Sequence, residues 1–174
     1  MGIRHEAREW ALQFLFQSEF NRADSLDEGL LLFWSHLDQE IASESAKSPP
    51  NPVPSPEKPD RMKAKARRFT EEIVRGVIAH HPEIDALIAK HADNWGIDRM
   101  GNVDRNAMRI AVFEMLFRND IPPVVSINEA VDLAKAYSSI DSGKFVNGIL
   151  DRIRKDIDRP ARSPNSPMPT EELE

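Results

Sequence analysis

Three groups of residues in this sequence have types and spacing suited to chemistry, and in each the chemistry would be the holding of an anion. Arg4 and Arg8 stand four apart, hence on one face of a helix, with His5 beside Arg4. "RMKAKARRF", Arg61 to Phe69, carries Arg61, Lys63, Lys65, Arg67 and Arg68 with no acid among them. "DSGKFVNGIL", Asp141 to Leu150, brings an acid, a hydroxyl, a glycine, Lys144 and Phe145 to one helix start. Cationic stripes of this kind can contact phosphates. Each group also has a plainer reading. The second can be a solvated helix face, and the third can cap a helix and plug a core. The first is locally neutral, because Glu6, Glu9 and Glu19 offset Arg4, Arg8 and Arg22.

No catalytic constellation accompanies them. His5-Glu6 lacks the second His of a zinc-protease helix. His80, His81 and His91 have no Cys or carboxylate cluster at metal-ligand spacing, so no metal is expected. Ser142-Gly143-Lys144 has no strand before it and no glycine-rich phosphate loop around it. The expectation is a protein without cofactor that is not an enzyme.

Composition narrows the class. The 174 residues suit one domain, or one domain with tails. The net charge of -6 means that the body as a whole repels polyanions, so any nucleic-acid contact must come from local patches or a partner. Cysteine is absent, which removes disulfide and thiolate chemistry and suits a reducing cytoplasm. No apolar run reaches membrane-spanning length, and the N-terminus has no signal-peptide core. Met1-Gly2 could suggest myristoylation, but Glu6 stands where that motif wants Ser or Thr.

The elements that must position these groups are helical. Ala7, Trp10, Ala11, Phe14 and Leu15 form one stripe; Leu26, Leu30, Phe33, Trp34, Leu37 and Ile41 form a second. Met62, Ala66, Phe69, Ile73 and Val77 form a third. Ile84, Leu87, Ile88 and His91 follow Pro82, which fits a first helical position. From Val103 to Phe117 apolar residues surround the helix, which predicts a buried central element. Pro122-Pro123 is expected to stop it, and "SINE", Ser126 to Glu129, to open the next helix as a capping box with Ala130, Val131, Leu133, Ala134 and Tyr137 facing inward. The last helix starts within "DSGKF", capped by Asp141 or Ser142, and carries Phe145, Val146, Ile149, Leu150 and Ile153 as its apolar residues. No strand pattern competes, so the fold class is all-α, a compact bundle of about seven helices. Proline clusters in Ser48–Asp60 and Arg159–Glu174, where its density forbids helix and ladder. These blocks predict one domain over 1–158, a Pro-rich loop insertion at about 46–60 and a disordered tail over 159–174.

Two segments carry a family resemblance. "RHEAREWALQFLFQSEF" resembles the first helix of the NusB family of transcription antitermination factors. "VDRNAMRIAVFEMLFRNDIPPVVSINEAVDLAKAYSSIDSGKFVNGILDRI" resembles that family more closely, above all in "INEAVDLAK" and "DSGKFVNG". The resemblance implies two packed helical halves and no catalysis. It implies binding to boxA-type RNA of ribosomal RNA leaders together with NusE, the transcription role of a small-subunit ribosomal protein, within the RNA polymerase antitermination complex.

Residue roles follow from the same resemblance. RNA contacts fall on Arg4, His5, Arg8, Phe16, Asp141, Lys144 and Phe145. Asp98, Asp104 and Asp141 match positions that face the NusE partner. Departures are His5 and Glu6 at positions that are often basic, Phe16 where a tyrosine is usual, and "IPPVV", whose Pro123 and Val124 replace an aromatic and a cation. Lys144 would add charge for a phosphate, and Phe145 would stack on an unpaired base. By its spacing with Ile149 and Ile153, Phe145 could equally be core. Alternatives without antitermination role are an RNA-targeting domain of the kind fused to RNA methyltransferases, which needs a methyl-donor-binding domain this sequence does not carry, a homodimeric adaptor that hides its RNA face, and a helical adaptor with no RNA role.

Overall fold

The structure, a computed structural model, describes residues 2–47, 57–93 and 95–157. Seven α-helices make up nearly all of the described chain: α1 Ile3–Phe20, α2 Leu26–Lys47, α3 Glu57–Ala79, α4 His81–His91, α5 Asn102–Phe117, α6 Pro123–Tyr137 and α7 Ile140–Ile157. A 3-10 turn, Ile97–Arg99, precedes α5. None of these helices is long and apolar enough to cross a membrane.

α5 is the axis. It packs against α1, α3, α4, α6 and α7, and buries Ala107, Met108, Ile110, Ala111, Val112, Phe113 and Met115. This is what the all-round apolar pattern predicts. On one side α1 and α3 lie together, tied by Thr70 Oγ1, which donates to the Ala7 and Ala66 carbonyls at 2.9 Å each. Gly76 lets α3 meet α5: a Cβ there would lie 2.1 Å from Phe113 Cε2. On the other side α6 and α7 pack as a pair.

α2 is attached differently. It buries only Leu30, Phe33 and Trp34. Its hold is aromatic edges, Trp34 on Trp10 and Phe33 on Phe14, each at 5.6 Å between centroids. Trp34 Nε1 also donates to Glu71 Oε1 (2.8 Å), and Arg75 and Arg67 of α3 pair with Asp27 and Asp38.

Several helix ends differ from expectation. α5 ends at Phe117, before the proline pair, with the Arg118 N–H returned to the Glu114 carbonyl at 2.9 Å. Pro122 and Pro123 open α6 instead, since a proline at the first helical position loses no intrahelical bond. Ser126 is therefore not a cap. It lies inside α6, buried, and donates to Glu114 Oε2 at 2.6 Å. α7 begins at Ile140, so neither Asp141 nor Ser142 caps it; Ser139 does, its Oγ accepting the Ser142 N–H at 3.1 Å. Met62 and Tyr137, expected inside, are 51% and 45% exposed. α3 begins at Glu57, within the proline-rich block, with Pro59 in its first turn. Residues 48–56 and the expected tail lie outside the described residues.

Candidate nucleic-acid interface

The amino-terminal turns of α1 carry the cations, and the fold treats them unequally. Arg8 is only 2% exposed. Its Nε donates to Glu114 Oε1 at 2.6 Å and its Nη2 to Glu114 Oε2 at 3.2 Å, a two-pronged pair between α1 and α5. Ser126 of α6 completes the site on the same carboxylate. A buried pair needs its remaining lone pairs satisfied in this way, since an uncompensated charge there is costly. Arg8 is thus removed from the expected surface contacts: its guanidinium fastens three helices.

Arg4, one turn earlier, is half exposed and pairs with Asp120 at 3.0 Å. Asp120 is gripped by Arg118 through both oxygens, at 3.0 and 3.1 Å. The Arg118 hydrogen bond is the main cause of an Asp120 carboxyl held down at about 2. Arg118 reaches on to Glu72 at 2.8 Å, and Glu72 meets Arg68 at 3.3 Å. Beneath this ladder lies Phe69, with Arg4, Arg8 and Arg118 at 5.2, 5.4 and 5.0 Å from its ring centre. The ladder is the surface layer of an arginine cluster built around one aromatic ring.

The other flank of α1 meets α6. His5 Nδ1 lies 2.6 Å from Glu129 Oε2, and its Nε2 lies 3.6 Å from Glu9. Tyr137 Oη donates to Glu9 Oε1 at 3.1 Å, and burial, with Glu9 beside it, pushes the phenol up. Phe16, eleven residues beyond His5, is 38% exposed with its ring against Phe20. α7 begins three residues after Tyr137, so Asp141 and Lys144, both exposed, stand at the end of the α1–α6 seam. Phe145 is half-buried against the core, a place between its two readings. Gly143 has a packing reason: a Cβ there would lie 2.7 Å from Lys135 Cγ of α6.

The expected partner acids also separate. Asp98 is exposed on the 3-10 turn. Asp104 is not available in the same way. It is 8% exposed in the first turn of α5, and its Oδ1 is buried without a hydrogen-bond partner among the described residues. Its place near a helix N-terminus favours the negative charge there, but the carboxylate is turned inward.

This combination, an all-α bundle whose first helix carries Arg4 and Arg8, with a last helix that opens on "DSGKF", agrees with what the comparisons find. The NusB family model matches residues 5–155. The chain belongs to the NusB family. It is 42% identical over 160 residues to the transcription antitermination protein NusB of Myxococcus xanthus, covering 92% of this chain and all of that one. Among solved structures it resembles T. maritima NusB, with 34% identity, a TM-score of 0.66, and coverage of 88% of this chain and 91% of that one. It also resembles a crystal structure of antitermination factors NusB and NusE in complex with dsRNA, at 30% identity and a TM-score of 0.63, covering 88% and 97%.

For this NusB-family chain, sequence reasoning missed Arg118, Asp120, Glu72 and Phe69 as parts of the cationic surface. The signal was present in "FRND", a charged pair at a helix end, but its partners lie 46 and 116 positions away along the chain. Val124, in the place of a usual cation, is 53% exposed on the first turn of α6.

Proposed function

We infer that this chain is a transcription antitermination factor that binds boxA-type RNA together with a NusE-type small-subunit ribosomal protein, and that it acts by binding and not by catalysis. Family membership and the similarity to the NusB–NusE–RNA complex support this reading. The observation that carries it is the exposure, whole or partial, of Arg4, His5 and Phe16 on α1 and of Asp141, Lys144 and Phe145 in the first turns of α7. Arg4 and Lys144 supply charge to phosphates, and the open edges of Phe16 and Phe145 supply faces for bases. Arg8 holds α1 in place behind them. Asp98 and Asp141 are the exposed acids that a basic partner would meet. The site of action is the cytoplasm, where nascent transcripts of a cell without a nucleus are made.

The net charge of -6 favours partner dependence. RNA must approach a negative body, and a basic partner supplies the missing cations. Partner and RNA should therefore tighten each other's binding by the same factor, with a coupling of about 1–3 kcal/mol. The test is a titration of labelled boxA-type RNA with the protein alone and with saturating NusE-type partner, then in the reverse order. Equal affinities with and without partner would remove the cooperative reading. Absence of RNA binding in both would remove the function.

A further inference from the structure

The five cations of "RMKAKARRF" do not form one stripe. In α3, Arg61, Lys65 and Arg68 fall at i, i+4 and i+7, on one helix face, and Glu72 continues it at i+11. Arg67 points elsewhere, pairing with Asp38 of α2 and lying 4.9 Å over the Trp34 ring. The Arg61 face is the one that meets the α1 ladder, because Glu72 is shared between Arg68 and Arg118, and Arg118 leads through Asp120 to Arg4. Arg68 is 85% exposed beyond its bond to Glu72. Arg61 and Lys65 are exposed and make no ion pair among the described residues.

We propose that Arg61, Lys65 and Arg68 form a second RNA-backbone track, continuing from Arg4 along the amino-terminal turns of α3. This rests on the RNA-binding reading above. A cation that the fold has left unneutralised, in a protein of net charge -6, keeps its full attraction for an incoming polyanion. Arg68 to Arg61 spans about 10 Å at 1.5 Å per residue. The three cations can meet up to three phosphates, one each. The contacts carry no base information, so the track lengthens the bound RNA without adding to its sequence requirement.

The experiment uses the full chain with its NusE-type partner and boxA-type RNAs lengthened stepwise at either end. In the wild type, lengthening at one end tightens binding; in Arg61→Gln/Lys65→Gln/Arg68→Gln that gain is lost. The slope of log affinity against log salt becomes shallower by about 2 in the triple variant, at roughly 0.7 per single-strand phosphate. Lys63→Gln, off the track by 200° of helix rotation, should leave both unchanged. Arg61→Lys/Arg68→Lys keeps the charge and should keep the slope. A triple variant with an unaltered slope overturns the track. So does a Lys63→Gln loss equal to that of Lys65→Gln, which would mean that net charge alone decides. Lys144→Gln separates the two readings: if it weakens binding while the triple variant does not, the track falls and the proposed function stands.

Discussion

Arg4 and Arg8 look alike in the sequence, one helical turn apart on the same face, yet the fold gives them opposite work. Arg4 remains half in water, paired through Asp120 to a ladder that any ligand could rearrange. Arg8 is enclosed and doubly bonded to Glu114, with Ser126 on the same carboxylate. A cationic stripe therefore does not read directly as a ligand surface. What decides is whether a carboxylate waits beneath it, and Glu114 lies 106 positions further along the chain.

The largest effect that would test this contrast is on stability. Arg8→Ala strands the Glu114 carboxylate in the core and should cost about 3–5 kcal/mol. Replacing Arg8, Glu114 and Ser126 together by apolar residues of similar volume should recover most of it. Denaturant melts measure both, and an Arg8→Ala protein of wild-type stability would mean that Arg8 is free in solution. Phe69→Leu comes next, because its ring lies under all three guanidinium groups. We expect a loss of about 1–2 kcal/mol, and little loss would show that the ring only fills space.

Arg4→Ala should move stability by no more than about 0.5 kcal/mol. Its effect is on RNA, where the salt slope of binding should fall by about 0.7–0.9 for the lost phosphate contact. If it melts the protein instead, the contrast with Arg8 disappears. Asp120→Asn should likewise cost no more than about 0.5 kcal/mol near neutral pH, since the Asp120 carboxylate is half exposed. Its sign is set by the depressed carboxyl. The Asp120 contribution is complete above the usual carboxylate value of 3.8 and is lost as pH falls through about 2. Wild type and Asp120→Asn should thus converge in stability across that acid window, and a constant gap down to the lowest pH would assign the effect to something other than the charge.

What was legible in the sequence was the part governed by periodicity. The helices, the burial of α5 and the exposure of Arg61, Lys65 and Arg68 all follow from spacing along a single helix. Helix ends were read less well, because two start signals competed. Ser126 looks like a cap by its "SINE" context, but Pro123 had already begun the helix and the hydroxyl turned inward to Glu114. Likewise Ser139 caps α7 before Asp141 is reached. The candidate site was legible as a list of residues through the family resemblance. Its sorting into surface and interior was not, because Arg8 and Asp104 are withdrawn by contacts with other elements and by burial that no local pattern encodes.

The aromatic edges that hold α2 also give the molecule an optical readout of its own looseness. Trp10 and Trp34 meet at 82° between ring planes, both buried, while Trp95 is half exposed. With Trp95→Phe, all indole emission comes from the contact between α1 and α2. A helix fastened by so few enclosed side chains is a natural unit of sub-global opening. Its release exposes Trp34 to water and shifts that emission to the red, while α5, α6 and α7, which carry no tryptophan and are silent at indole wavelengths, stay folded.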